Sequence, residues 1–561
     1  NDFGTGADDP PGDQLVTIRT ILGGADSPGD TPTPDRVVFL GANNRGEGVA
    51  VREGPALTLL LRDPLGRVTR VDGPDVDLAA GGSDPNWLDI HFNAVGQRTQ
   101  MNQPTAAGAA GPTWTYDYDR NGNLETVISP RDVAIRTHRD ALGRTLLEDY
   151  EPFTTNAASP GPNDLVYQYF TSGVGLGRLA AAGPAAADGV QTYYEYDLRG
   201  RLAGQTRDFG DSLQFSFGYA YDRMGRQVSV FLPDGSALGT VYDANSTNAV
   251  FSLQSSSSWG STAWVGYPET HPSGGLEQLD IVSTLPGSVP IRLDYGYRDS
   301  DQRLAGVIST KQGTTPSTLQ DLSYRYDVAG NLRGIDDALG ELSQQFGYDD
   351  LHRIVLAEGT GSRGYGTNRY AYDAAGNLLE KGPGSGAAPQ TGRMRMAYGR
   401  GPGQPVTLAG VEAWDGSQWQ GAGSYLYDEE GGAIQRNLFG SSLAMARDDH
   451  GRLVWASTPT AIANIFFYDH TGQRSEKLQT QFNGSGGATA VLAHRLYVDP
   501  SYEVDVQNGT HSVHVFAGSR RLATLERSGL GLAPGAMSEQ VRNFHPDHVG
   551  SNTLVTDHRG E

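Results

Sequence analysis

A short phrase built on tyrosine, aspartate and glycine recurs along the whole chain, and few folds can accommodate it. Its clearest copies are Tyr116-Asp117-Tyr118-Asp119-Arg120-Asn121-Gly122-Asn123-Leu124 and Tyr194-Glu195-Tyr196-Asp197-Leu198-Arg199-Gly200-Arg201-Leu202. Further copies place Tyr219, Tyr221, Asp222 and Gly225, then Tyr324, Tyr326, Asp327 and Gly330. The same pattern returns at Tyr370, Tyr372, Asp373 and Gly376, and at Tyr425, Tyr427, Asp428 and Gly431. The shared form is Tyr-x-Tyr-Asp-x-x-Gly-(Asn/Arg)-Leu. Repetition of this kind signals one supersecondary unit stacked many times.

The unit is a β-hairpin. Side chains alternate along a strand, so Tyr-x-Tyr puts both rings on one face. Asp-x-x-Gly fits a type I turn, with Asp accepting backbone N–H bonds at the first position. Gly at the fourth position tolerates φ > 0, which lets the hairpin close with a bulge. Leu or Val two residues on then opens the return strand. The spacing agrees: Asp327 to Asp349 is 22 residues, Asp349 to Asp373 is 24 and Asp449 to Asp469 is 20. Worn copies fill the gaps, among them Arg62–Val68, Phe92–Gln97, Thr137–Arg144, Tyr295–Asp299 and Phe467–Gly472, with room for a lost copy near Tyr398. Segments rich in Gly, Pro, Ser and Ala at residues 80–85, 103–113, 151–163, 181–190, 253–262, 382–391 and 483–489 read as surface loops, since the phrase resumes after each.

The expected fold class is all-β: hairpin repeats paired edge to edge in one long antiparallel sheet, spiralled by its own twist into a hollow shell. At ~4.8 Å between strands and ~3.3 Å per residue, about 400 strand residues tile about 6,000 Å², enough to enclose on the order of 20,000 Å³. The composition suits a wall better than a solid core. It has 75 Gly and 26 Tyr, only 6 Met, and 37% hydrophobic residues, and the mean hydropathy is −0.44. No long helix is expected.

The formal net charge is −22. A polyanion repels nucleic-acid backbones and anionic membranes, which argues against a nucleic-acid partner. No apolar run reaches the ~18 residues of a spanning helix, so no membrane span is expected. With no cysteine, disulfides and thiolate metal sites are excluded. The chain starts at Asn1, shows no signal peptide and reads as a piece of something longer.

The array resembles the YD repeat of RHS (rearrangement hotspot) proteins, which include the Tc-toxin C component and, more distantly, the teneurins. The stretches Arg495–Asp499, Tyr502–Val504 and His514–Gly518 resemble the RHS-associated core. So does Phe544-His545-Pro546-Asp547-His548-Val549-Gly550-Ser551 with its Val555-Thr556-Asp557 ending. The resemblance spans residues 57–561 and implies a β-ribbon cocoon around a C-terminal cargo polypeptide, commonly a toxic enzyme. It makes His545, Asp547, His548 and Gly550 a structural closing motif. It divides the chain into an irregular lead-in (1–56), the repeat shell (57–480) and a closing core segment (481–561). The family's self-cleaving aspartyl motif, of Asp-Pro-x-Gly-Leu form, is not met before Glu561; Asp499-Pro500 stands in the wrong context.

Other chemistry is weighed against the repeat. Asp117-x-Asp119-x-Asn121-Gly122 matches half an EF-hand loop, but the twelfth position is Ile128, where a bidentate Glu is required. Gly210-Asp211-Ser212-Leu213 lacks a following helix to present a nucleophile. His545, Asp547 and His548 are zinc-ligand types at unsuitable strand spacing, and His511 and His514 read as ordinary surface residues. The repeat carboxylates could suggest a glycosidase, but the turn accounts for them. The expected contacts between hairpins are Tyr over Arg.

The sequence thus points to a non-enzymatic shell without catalytic residues, cofactor or metal, secreted or at a bacterial cell surface, with cargo and toxin-delivery components as partners. The alternative is a teneurin-like or wall-associated adhesion or carbohydrate-binding module.

Overall fold

The structure is a computed structural model that describes residues 14–20, 36–42, 48–53, 56–77, 83–104, 110–150, 161, 164–186, 189–242, 250–256, 263–271, 275–283, 285–384, 386, 388–400, 406–483, 487–517, 520–528, 538–547 and 551–561. Among these residues there are 43 strands and no α-helix, and no helix long and apolar enough to cross a membrane. The all-β reading is borne out.

Each repeat is a two-stranded unit with the expected bulge. Between the strands Ala110–Tyr118 and Leu124–Ile128, Asp117 pairs with Thr126 while Tyr118 pairs with Leu124, so one residue of the return strand is skipped. The same slip follows the first tyrosine of the phrase at Glu195/Tyr196, Ala220/Tyr221, Ala371/Tyr372 and Leu426/Tyr427. It accompanies a left-handed backbone at the turn glycine, with φ +87° at Gly122, +73° at Gly200 and +93° at Gly376, a region that side chains with a Cβ rarely enter. His352 occupies this position in one copy at φ +59°, so the glycine is preferred and not obligatory.

The lost copy near Tyr398 is present: its strand slips at Ala397/Tyr398 like the others. One register was misjudged. The aspartate that starts the turn before Gly451 is Asp448, not Asp449, because Gly451 N donates to Asp448 O at 2.9 Å. Several of the loop-like segments run partly as strand, including Arg98–Pro104, Ala110–Tyr118 and Val250–Ser256. Within residues 1–56, the strands Gln14–Thr20, Arg36–Ala42 and Gly48–Glu53 pair in order. Alternating Val, Ile and Leu there outweighs the surrounding Pro, Gly and Asp.

The chain forms two compact units. The first comprises Asn1–Arg136, Arg325–Ile335 and Gly340–Arg452; the second comprises Thr137–Tyr324, Asp336–Leu339 and Leu453–Glu561. Their interiors differ. In the first, the buried apolar residues among those described are Ala50, Tyr116, Ala134, Ile335, Ala357 and Val411. Its strands stay partly accessible along both faces, as in Gly366–Tyr372 and Trp419–Tyr427. The second unit buries Leu147, Leu279, Ile291, Leu293, Val307, Leu496 and Leu525, and its strand Ile291–Tyr297 alternates buried and accessible residues over its first five positions.

The second tyrosine of the phrase binds each hairpin to the strand before it. Tyr118 Oη donates to Arg98 O at 2.8 Å, Tyr196 to Leu179 O at 3.1 Å and Tyr221 to Leu202 O at 2.8 Å. Tyr348, Tyr372, Tyr398, Tyr427 and Tyr468 donate to Leu332, Ile354, Leu378, Leu408 and Leu453. The acceptor lies at or near the start of the preceding strand, close to a bulge that interrupts the ladder. We expect Tyr348→Phe to keep the fold and lower stability by about 1 kcal/mol, the worth of one half-buried hydrogen bond. Urea denaturation measures this; an unchanged midpoint would show that the phenol does not hold the strands together.

Candidate functional site

The repeat phrase makes one chemical arrangement many times: an aspartate clamp. In the 119 turn, Asp119 N donates to Asn123 O at 2.9 Å and Gly122 N to Asp119 O at 3.0 Å. Asp119 Oδ1 accepts the Asn121 and Asn123 amides at 2.9 and 2.8 Å, and Oδ2 accepts Asn123 Nδ2 at 2.9 Å. With both oxygens engaged, hydrogen bonds from the Asn123 side chain and backbone hold this carboxyl below the usual carboxylate range. Asp327 and Asp373 accept the same backbone and side-chain hydrogen bonds, from Asn331 and Asn377.

Where arginine replaces that asparagine, the clamp extends to the next hairpin. Arg201 Nε reaches Asp197 Oδ2 at 2.7 Å, and its guanidinium lies 4.4 Å from the centre of the Tyr221 ring. Arg226 bridges Asp222 to Tyr242, Arg144 bridges Asp140 to Tyr169, and Arg353 bridges Asp349 to Tyr372. The Tyr–Arg contacts anticipated from the sequence are therefore present, and each arginine also neutralises its own turn. The residue after the glycine was not singled out as functional. The signal was there: Asn and Arg share little except the ability to donate to Asp.

The structure does not gather the repeat residues into one cavity. It distributes Tyr116 and its counterparts turn by turn, and the described aspartates of the phrase serve as turn acceptors. Among the described residues, no three His, Asp or Glu side chains are grouped to hold a metal ion. Gly210–Leu213 is a tight turn, with Leu213 N donating to Gly210 O at 2.7 Å and positive φ at Asp211 and Ser212.

The closing phrase is a modified repeat. Asp547 N donates to Ser551 O and Ser551 N to Asp547 Oδ1, both at 2.8 Å, while the ladder slips at His545/Pro546. His548 and Gly550 lie outside the described residues. His545 is fully buried, with Nε2 3.1 Å from Thr556 Oγ1, and burial pulls it down to about 4.

His511 and His514 are not ordinary surface residues. His514 is 4% exposed and sits 2.9 Å from Thr524 Oγ1. His511 Nδ1 lies 2.7 Å from the hydroxyl of the fully buried Tyr502, and burial lowers its pKa. They do leave opposite faces of the strand, but both faces are covered there.

The second unit also holds polar locks that sequence reasoning missed. Arg527, fully buried, meets Asp234 at 2.6 Å and Glu539 at 2.7 Å. Arg207 meets the turn aspartate Asp469 at 2.9 Å and donates to Val498 O at 3.0 Å. Beside it, the His470 ring lies 3.0 Å from Tyr194 Oη, and burial lowers its pKa. Apart from Glu539, these partners stand more than 250 residues from each other in sequence, beyond the reach of a local pattern.

Comparison with known proteins agrees with this picture. No family model matches. The chain is 24% identical over 437 residues to "Toxin protein Tse5" of Pseudomonas aeruginosa, covering 69% of this chain and 30% of that protein. It is 23% identical over 569 residues to "Double-stranded DNA deaminase toxin A" of Burkholderia cenocepacia, covering 84% of this chain and 38% of that protein. The chain thus spans about a third of the length of these curated relatives. Among solved structures, the crystal structure of TcdB2-TccC3-TEV matches with a TM-score of 0.60 at 13% identity, over 94% of this chain and 30% of that one. The resemblance read from the repeat phrase holds. The repeat phrase resembles that of RHS proteins, and the chain has the fold of the matching part of the Tc-toxin TcdB2-TccC3 structure.

Two outcomes test the site. Asp469→Ala should cost about 3–5 kcal/mol, because it leaves the Arg207 guanidinium buried without its anion. In an Arg207→Met background the same change should cost far less, as a double-mutant cycle in denaturant measures; equal costs would mean the pair is not coupled. Stability should also fall as pH drops. Folded His545 titrates near 4 and an unfolded histidine near 6.5, so the unfolded state binds more protons between these values. That loss begins near pH 6.5 and reaches about 3 kcal/mol for His545 alone below pH 4. Melting temperatures across this range should slope more gently in His545→Gln; an identical slope would assign the sensitivity elsewhere.

Proposed function

We propose that the chain is a non-enzymatic shell that encloses a cargo polypeptide, a toxin or effector, and helps deliver it in a bacterial toxin system. The observation that carries this reading is the first unit's sheet. It is extensive, hydrogen-bonded strand to strand, and among its described residues has few buried apolar side chains, as suits a wall and not the lining of a solid core. The aspartate clamps support it from the chemical side, since the described carboxylates of the phrase are committed to turns. Relatives named as toxins and the Tc-toxin fold supply the context. On this reading residues 57–480 form the wall, residues 481–561 the closing segment and residues 1–56 the approach to it. The protein acts outside the cell that makes it, and its partners are the cargo and components of a toxin complex.

The test uses the full-length protein that contains this chain. A polypeptide following the shell should resist protease while the shell is folded and become degradable at the denaturant concentration that unfolds the repeats. Cryo-electron microscopy should show density for it inside. Immediate digestion of that polypeptide with the shell intact would rule out enclosure.

A further inference from the structure

One edge of the second unit's sheet runs against the charge of the whole molecule. It is formed by four successive turns or loops, at residues 139–144, 170–178, 197–201 and 222–226. They lie side by side: Arg144 Nη1 donates to Gly177 O at 3.0 Å, Arg178 lies 5.3 Å from the Tyr196 ring centre, and Arg199 Nη1 donates to Arg223 O at 3.2 Å. Together they carry seven arginines against three aspartates, in a chain of formal net charge −22. The three aspartates are engaged by Arg144, Arg201 and Arg226. On the opposite edge, the turn that follows Asp208 carries Asp211 and no basic residue.

The tips of the same turns are aliphatic and project outward. Leu142 is 78% exposed, Leu176 66%, Leu198 92% and Met224 64%, with Val174 beside them at 49%. The clamp does not call for them, since it uses the aspartate, the glycine and the residue after it. Turn tips ordinarily carry polar residues, and exposed aliphatic groups in a row oppose solubility unless they have a use. Consecutive hairpins repeat about every 10 Å, so these tips form a spaced row over roughly 30 Å rather than one flat patch.

We infer that this edge docks onto an anionic membrane surface, with the aliphatic tips entering the headgroup layer and the exposed Arg139, Arg178, Arg199 and Arg223 facing lipid phosphates. Aliphatic groups flanked by guanidinium groups match the two attractions of a peripheral membrane contact, apolar burial and charge. A protein interface would centre on aromatic anchors seated in packed surroundings, and this row of tips has none. The strongly acidic remainder of the molecule is repelled by the same surface, which fixes the orientation of contact.

Vesicle flotation tests the assignment, using pure phosphatidylcholine vesicles and vesicles enriched in phosphatidylglycerol. The protein should float with the anionic vesicles at low salt and leave them at high salt. The combined variant Leu142→Ser, Leu198→Ser, Met224→Ser should bind about tenfold less, with an unchanged melting temperature because these side chains are exposed. Arg199→Glu with Arg223→Glu should abolish flotation. Absence of flotation with anionic vesicles, or equal flotation of the variants, would overturn the proposal. Variant-sensitive retention on immobilised polyglutamate without any vesicle binding would overturn it too, and assign the edge to an acidic protein partner.

Discussion

In the copies that carry arginine after the glycine, the fold leans on a guanidinium shared between two hairpins. Arg201 closes the turn that begins at Asp197 and stacks on Tyr221, and Arg226 repeats the arrangement from Asp222 to Tyr242. Neither half would be worth much by itself, because an exposed ion pair or cation–π contact typically contributes under 1 kcal/mol. Coupling them makes turn closure and strand alignment the same event. The phenol hydroxyl then fixes the register from the other side, as Tyr221 does through Leu202 O.

This explains how a sheet with a sparse apolar core can be specified. Most sheets set register by burying one face, and a one-residue slip then exposes the whole core. The first unit has few buried apolar residues to enforce that penalty. Register there is set by polar groups of fixed reach: a carboxylate, a glycine with φ > 0, a donor four residues after the aspartate, and a tyrosine in the next hairpin. The second unit adds burial and the locks at Arg207 and Arg527.

What was legible in the sequence followed the same division. The hairpin, its bulge and the Tyr–Arg contacts depend on residues within about twenty-five positions, so the phrase disclosed them. The donor after the glycine was visible as an Asn/Arg alternation but needed the geometry to acquire a role. Asp448 was confused with Asp449 because two aspartates adjoin and only hydrogen bonding separates them. His511 and His514 were misassigned because strand periodicity gives opposite faces without saying whether each face is covered. Arg527 with Asp234, and Arg207 with Asp469, join distant strands and leave no local trace.

The two kinds of bond also differ in when they can form. Each clamp and tyrosine bond needs only the hairpin just before it, so the ribbon can extend in step with the emerging chain, at low contact order. Arg207 must wait for Asp469, and Asp234 for Arg527. These locks join distant strands of the second unit only once the chain has been made as far as Asp469 and Arg527, leaving an interval in which its hairpins are assembled and the locks are still absent.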